Sequence, residues 1–342
     1  MTVTIKDVAR HTGLSQSTVS RALNQSGYVS EETRRRVDTA VAELGYEPNW
    51  LARSLKGQPS RLVGLIVPEV TSLYDNLIIQ SVSTMLHQNN YGMMLCINNE
   101  DAEVDLWYLK ALKEKHVDGI IYVHPLGGNN SSFVRDLVKQ GIPIIELNRR
   151  REEDLLDGVL ADNVQGGYQI TNYLIGLGHQ RIGLIMGQSE LTTGQNRLTG
   201  YRHALNEAGI PIDPALIRIG SFTQEHGEAG TRELLQVETR PTALLAGSNR
   251  ILLGLLKVLN EQAICIPDDM SVAAFNDTEW LSMWRPPITT VDIATEEMAR
   301  LSVELLLRRI SSSAKEYKPR TYLLSTTLIE RESCKKVNRS GG

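Results

Sequence analysis

From Leu62 onward, apolar runs of strand length alternate with amphipathic helical stretches, and few folds accept that alternation. The runs are LVGLIVP (62–68), GMMLCIN (92–98), DGIIYV (118–123), PIIELN (143–148), GVLAD (158–162), RIGLIMG (181–187), TALLAG (242–247), DMSVAAFN (269–276) and PITTVDI (287–293). Most are near-continuously apolar rather than alternating, as strands buried on both faces are. Helical stretches such as 75–89, 102–115, 164–177 and 249–261 lie between them. Strands joined in this way form a parallel sheet covered by helices on both sides, with right-handed crossovers. Nine strands are many for one doubly wound sheet, so a division near Asp162 into two similar lobes is expected. A ligand cleft then falls at the carboxyl ends of the strands.

The first 47 residues follow a different rhythm. Ile5, Val8 and Ala9 share one helical face, Thr12-Gly13-Leu14 breaks it, and Ser15 is placed to cap a second helix. Val19, Ala22 and Leu23 form the inner face of that helix. A third helix, capped by Ser30, carries Val37, Ala40, Val41 and Leu44 inward and stops at Gly45. Ala9, Gly13 and Val19 fill the close-crossing, turn and core positions of a helix-turn-helix, whose second helix enters a DNA major groove. The outer face of that helix carries Gln16, Ser17, Ser20 and Arg21. Gln suits adenine and Arg suits guanine, while hydroxyls suit phosphates. Residues 1–61 hold nine basic and six acidic residues, a net +3 that leaves −7 on the remainder of a chain of net charge −4. A basic head on an acidic body fits a polyanionic partner.

Cys96, Cys265 and Cys334 lie far apart in the chain, without metal-ligand spacing or an even count for a disulfide framework. With no leader-like apolar segment and no run long enough to span a membrane, a cytoplasmic, nucleoid-associated protein is expected. There is no Gly-x-Gly-x-x-Gly after a strand, no Walker loop and no Gly-x-Ser-x-Gly elbow, so no catalytic residue, cofactor or metal is expected. His179, just past a helix end, reads as structural.

VTIKDVARHTGLSQSTVSRALNQSGYVSEETRRRV and LGYEPNWLARSLKG resemble the head and hinge of the lactose-repressor/galactose-repressor (LacI/GalR) family of bacterial transcription regulators. The similarity continues through DGIIYVHP, GIPIIELNR, DNVQGGYQITNYLIGLGHQRIGLIMG, RLTGYRHALNEAGI, IPDDMSVAAFND and PPITTV, to about residue 330. The resemblance implies an α/β protein with a three-helix head (1–47), a hinge helix and linker (48–60) and a two-lobed, periplasmic-binding-protein-like body of doubly wound parallel sheets (61–330). The first lobe would take about 61–160 plus 291–322, the second about 162–288 plus 323–330, and 331–342 would be a disordered tail. Gln16, Ser17 and Arg21 match base-reading positions. Thr4, Ser15, Thr18, Asn24, Tyr46 and Asn49 match phosphate or positioning ones. Ala52 and Leu55 match hinge residues that enter the minor groove as an apolar wedge. Implied partners are a palindromic operator, a second copy of the chain and a small sugar-like effector, which would act as inducer or co-repressor.

In the body, Arg149, Arg197, Ser248, Asn249, Asn276 and Asp277 follow strands and match effector-facing positions of that family. Phe222 and Trp280 could stack on a sugar, and Tyr74 could close the other lobe. The chain departs from the family where Asn-Pro-Phe is frequent and TSLYDNL stands, where Ser248-Asn249 replaces Asn-Asp, and at Asn276, where Asp is frequent. Fewer carboxylates favour a different or more anionic ligand. The competing reading is a transport-type solute-binding protein on the same fold; an enzyme with an appended head is the other.

Overall fold

Short polar side chains set the limits of the N-terminal helices. The computed structural model describes residues 3–23, 27–46, 59–151, 156–188, 190, 192–312 and 318–337. Helix α1 (Ile5–Thr12) opens on a reciprocal Thr4–Asp7 box, with the Thr4 amide donating to Asp7 Oδ2 at 2.9 Å. It closes on Gly13, whose left-handed φ of 62° lets the chain turn at once into α2 (Gln16–Leu23). The hydroxyl of Ser15 accepts from the Thr18 amide at 3.1 Å, and Ser30 caps α3 (Glu31–Leu44) in the same way. Val8, Ala9, Val19, Ala22, Val37 and Ala40 are buried together, so each helix contributes two residues to one small core. The head residues lie in one compact unit, Met1–Ser60, and the body in another, Arg61–Gly342. Most of the expected hinge, residues 48–58, lies outside the described residues.

The described residues of the body form two six-stranded sheets. Strands β1 (Leu62–Val67), β2 (Gly92–Ile97), β3 (Gly119–Tyr122), β4 (Ile144–Asn148) and β5 (Asp157–Ala161) build the first, together with β11 (Thr321–Leu324), in the order β11-β5-β4-β3-β1-β2. The second holds β6 (Ile182–Gly187), β7 (Ile217–Gly220), β8 (Ala243–Ala246), β9 (Ser271–Phe275), β10 (Thr289–Asp292) and β12 (Thr327–Ile329), in the order β12-β10-β9-β8-β6-β7. All pairs are parallel except β10 with β12; Leu65 stands opposite Leu95 on one side and Ile121 on the other. The intervening helices are α4 (Leu73–Gln88), α5 (Ala102–Glu114), α6 (Ser131–Lys139), α7 (Asn163–Gly176), α8 (Thr192–Glu207), α9 (Gln224–Gln236), α10 (Asn249–Glu261), α11 (Glu279–Met283) and α12 (Thr295–Ser311). None of the described helices is long and apolar enough to cross a membrane.

The sequence pattern missed three strands for a common reason. β7, β11 and β12 are edge strands of three or four residues and none is fully buried, so they lack a continuous apolar run. The chain passes between lobes after β5, after β10 and after β11. β10 therefore belongs wholly to the second lobe, where residues 291 and 292 were expected in the first, and β11 to the first, where 323 and 324 were expected in the second. The tail also differs from expectation between Arg331 and Val337. Ser333 is fully buried; its hydroxyl donates to the Val272 carbonyl and accepts from the Thr289 amide at 2.8 Å. The Val337 amide reaches the Leu177 carbonyl at 2.9 Å. Backbone and hydroxyl contacts of this kind leave no hydrophobic period to read.

Helices α7 and α8 cross backbone to backbone. A Cβ on Gly167 would strike the Arg197 carbonyl oxygen, and one on Gly200 the Val164 carbonyl oxygen. Both contacts require the missing side chain, and the first sets the Arg197 backbone directly against Gly167. Gly200→Ala should therefore force the helices apart and lower the unfolding free energy by about 1–3 kcal/mol. A urea midpoint equal to that of the parent chain would disprove the close crossing.

Candidate functional site

On α2 the two faces separate cleanly. Val19 and Ala22 are buried, while Gln16, Ser17 and Arg21 are exposed and Ser20 is half-buried. The first turn of α2 carries no acidic residue, so its positive N-terminal end stays available to a phosphate. Ser15 bonds Ser17 at 2.7 Å and Thr18 at 2.8 Å, a hydroxyl cluster beside that end. Thr4 is exposed at the start of α1, and Tyr46 packs its ring against the head's core. Asn24, Asn49, Ala52 and Leu55 lie outside the described residues. Tyr28 was not anticipated. It is 92% exposed, which is unusual for so large a ring in a folded head.

In the body, loops after β1, β2, β3, β4, β6, β7, β8 and β9 enclose a cleft of about 580 Å³ between the lobes. Tyr74, Arg149, Arg197, Phe222, Ser248, Asn249 and Asn276 all line it. β4 ends in Asn148 at φ 69° and β9 is followed directly by Asn276 at φ 70°, left-handed conformations that asparagine accepts more readily than most residues. The Phe222 ring packs on Gly187, where any Cβ would strike it. Ser248 caps α10 through the Ile251 amide, so part of its hydrogen-bonding capacity is structural.

Arg197 is 2% exposed at the floor of the cleft. Its Nε donates to Asn163 Oδ1 at 2.7 Å, Nη1 to the Gly247 carbonyl at 2.6 Å and Nη2 to Asn276 Oδ1 at 3.1 Å. Its guanidinium carbon stands 4.3 Å from the centroid of the Phe275 ring. Burial lowers its pKa to about 9, which leaves it charged at neutral pH. On the opposite lobe Arg149 donates to Glu100 Oε1 at 2.7 Å. Arg250 reaches across the mouth to Glu69 at 3.4 Å and Thr71 at 3.1 Å. Thr192 and Thr193 tie α8 to Arg150 and Asn148 of the first lobe. The Tyr74 hydroxyl, Asn148 Oδ1, Arg149 Nε, Asn249 Oδ1 and Arg250 Nε are buried without a hydrogen-bond partner among the described residues, and all belong to residues lining the cleft. Buried polar atoms seldom stay unpaired in a finished interior, so these invite a ligand.

Two expected residues stand elsewhere. Asp277 forms a paired contact with Arg331, at 2.7 and 2.8 Å, and accepts from Thr290. Trp280 does not line the cleft. The short α11 turns its ring edge-on against Trp284, 5.8 Å between centroids, beside the second lobe's core. Conversely Asp75, Glu100, Asn148 and Arg250 line the cleft unannounced, though each lies within two residues of a strand end, a helix start or a residue already singled out. His179 hydrogen-bonds Thr242 at 2.8 Å, away from the cleft. No group of His, Cys, Asp and Glu suited to a metal occurs among the described residues.

Comparison with known proteins gives a consistent picture. Residues 4–49 match the family described as bacterial regulatory proteins, lacI family, and residues 171–334 match the periplasmic binding protein-like domain. The chain is 35% identical over 339 residues to the HTH-type transcriptional regulator RegA of Clostridium saccharobutylicum, covering 97% of this chain and 99% of that protein. Among solved structures, the lac repressor dimer bound to operator and the anti-inducer ONPF superposes with a TM-score of 0.85 at 26% identity, covering 98% of this chain and 100% of that one. The cellobiose complex of the transcriptional regulator CelR gives 0.73 at 31% identity, covering 97% and 99%.

Asp75 supplies a test of the cleft's polarity. It is 5% exposed, and burial raises its pKa to about 7 against the partial opposition of Arg149. A carboxyl group with a raised folded-state pKa stabilises the fold relatively at low pH and withdraws that contribution as pH rises through the folded value. Asp75→Asn should match the parent chain at pH 4 and exceed it at pH 8, by on the order of a few kcal/mol. Parallel stability profiles for the two chains across that range would show that Asp75 ionises freely.

Proposed function

Because the chain belongs to the LacI family of bacterial regulatory proteins, we propose that it is a transcriptional repressor whose operator affinity is set by a small hydroxylated ligand held between its lobes. The observation that carries the DNA half of this reading is the split of α2 into a buried Val19–Ala22 face and an exposed Gln16, Ser17 and Arg21 face. In this reading Arg21 takes the O6 and N7 of a guanine, Gln16 an adenine edge, and Ser17 an adjoining base or phosphate. Thr4, Ser15, Thr18, Asn24, Tyr46 and Asn49 hold the register on the phosphates. Ala52 and Leu55 open the minor groove at the operator's centre, a role that rests on the family resemblance alone.

The protein acts in the cytoplasm as a homodimer on a palindrome. Large exposed apolar side chains support self-association: Leu73 and Leu95 in the first lobe, and Ile219, Leu253, Met283 and Trp284 in the second. The cleft's unpaired donors and acceptors support a ligand with several polar groups, and Phe222 offers a stacking face. Effector and operator then change each other's affinity by the same factor.

Fluorescence anisotropy on a palindromic duplex from upstream of the protein's own gene tests this reading. Specific binding should persist over non-specific binding across a salt series. Arg21→Ala should weaken the specific complex by about 1–3 kcal/mol and relax the preference at one base pair per half-site. Affinity independent of sequence at every salt concentration would overturn the reading, and an unchanged base preference in the variant would remove Arg21 from the role.

A further inference from the structure

The charges lining the cleft do not balance pairwise. Arg149 has Glu100 at 2.7 Å and Arg250 has Glu69 at 3.4 Å, yet Arg197 has no acidic partner among the described residues. All three acceptors around Arg197 are neutral, and the one just after β9 is Asn276, where a carboxylate of nearly the same shape would neutralise it. A guanidinium has five N–H bonds, and Arg197 uses three of them in these contacts. Arg149 keeps an unpartnered Nε, although the residue is only 5% exposed. The Tyr74 hydroxyl is likewise buried and without a hydrogen-bond partner among the described residues, and Asp75, Arg197 and Arg149 all act on it electrostatically. Cationic side chains of both lobes thus line the cleft with Tyr74, and the buried Asp75 is the carboxyl group beside them. The unpartnered acceptors, Asn148 Oδ1 and Asn249 Oδ1, call for hydroxyl or amine donors instead.

We propose that the effector is a small hydroxylated acid whose carboxylate or phosphate sits at the Tyr74 hydroxyl between Arg149 and Arg197, with its hydroxyl groups on Asn148 and Asn249. The acid supplies the charge that Asn276 withholds, and it draws the lobes together because its two cationic partners come from different lobes. Asp75 lies close enough to Arg149 and Tyr74 to interact with both; burial already raises its pKa to about 7, and an anion beside it would favour the neutral form further. The proposal deepens the ligand half of the reading above and rests on it only for the consequence at DNA.

The test uses the full chain at constant ionic strength, with thermal shift and calorimetry for four probes: inorganic phosphate, glucuronate, glucose 6-phosphate and glucose. At least one acid should raise the Tm and bind at least tenfold more tightly than glucose; glucuronate against the two phosphates separates the carboxylate from the phosphate source. Asn276→Asp, which neutralises Arg197 in place, should weaken that binding at least tenfold, and Arg149→Gln should do the same from the other lobe. Glucose binding as tightly as the acids, no response to any acid, or an acid response unchanged in both variants would each overturn the proposal; the last would place the anion on another basic surface. Anisotropy on the palindromic duplex with the same samples separates the two claims. Specific DNA binding with a neutral-sugar response leaves the repressor reading and removes the acid, whereas an acid response without specific DNA binding does the reverse.

Discussion

A guanidinium buried without a counter-ion is the constraint around which the second lobe's ligand face is arranged. Arg197 reaches the floor of the cleft because Gly167 and Gly200 let α7 and α8 cross at backbone distance. Its charge is then stabilised by oriented neutral dipoles from three elements: Asn163 at the start of α7, the Gly247 carbonyl after β8 and Asn276 after β9. The Phe275 ring covers one face of the cation. Each partner has to stay in place, since burial makes a lost hydrogen bond to a charge costly. The left-handed turn at Asn276 follows from the same need, because it carries a strand-end side chain back towards Arg197.

The lobes meet across the cleft through a few polar contacts: Arg250 with Glu69 and Thr71, Thr192 with Arg150, and Thr193 with the Asn148 carbonyl. Such contacts are individually weak, so a ligand that joins Arg149 to Arg197 can outweigh them and shift the lobes between open and closed arrangements. Arg150 is better anchored. It bonds the buried Glu146, which also holds His124 at 2.6 Å, and so gives the first lobe a rigid polar core behind the cleft.

How much of this was legible depended on how locally each feature is encoded. The head was readable almost to the residue, because caps at Ser15 and Ser30, the turn at Gly13 and the apolar period all lie within a few positions of one another. Parallel strands were readable where they are buried on both faces, and unreadable where they are short edges, as at β7, β11 and β12. Cleft residues followed from strand ends at Arg149, Ser248 and Asn276. The same rule misplaced Asp277, because the next residue along the chain points towards Arg331 instead. Trp280 failed similarly: its position is set by the Trp284 contact, four residues on, and not by the strand before it. Asp75 and Glu100 carried no signal beyond proximity to α4 and β2, and the pairing of Glu100 with Arg149 spans 49 positions. Segment 331–337 was misjudged because hydroxyl and backbone bonds hold it, without apolar periodicity.

The most direct test of the account is the unfolding free energy of the full chain carrying Arg197→Met, measured by urea denaturation without ligand. Methionine fills the volume but leaves Asn163 Oδ1, the Gly247 carbonyl and Asn276 Oδ1 without their donor, so the unfolding free energy should fall by about 3–5 kcal/mol. Stability within about 1 kcal/mol of the parent would contradict the account, because the three dipoles would then not depend on the cation.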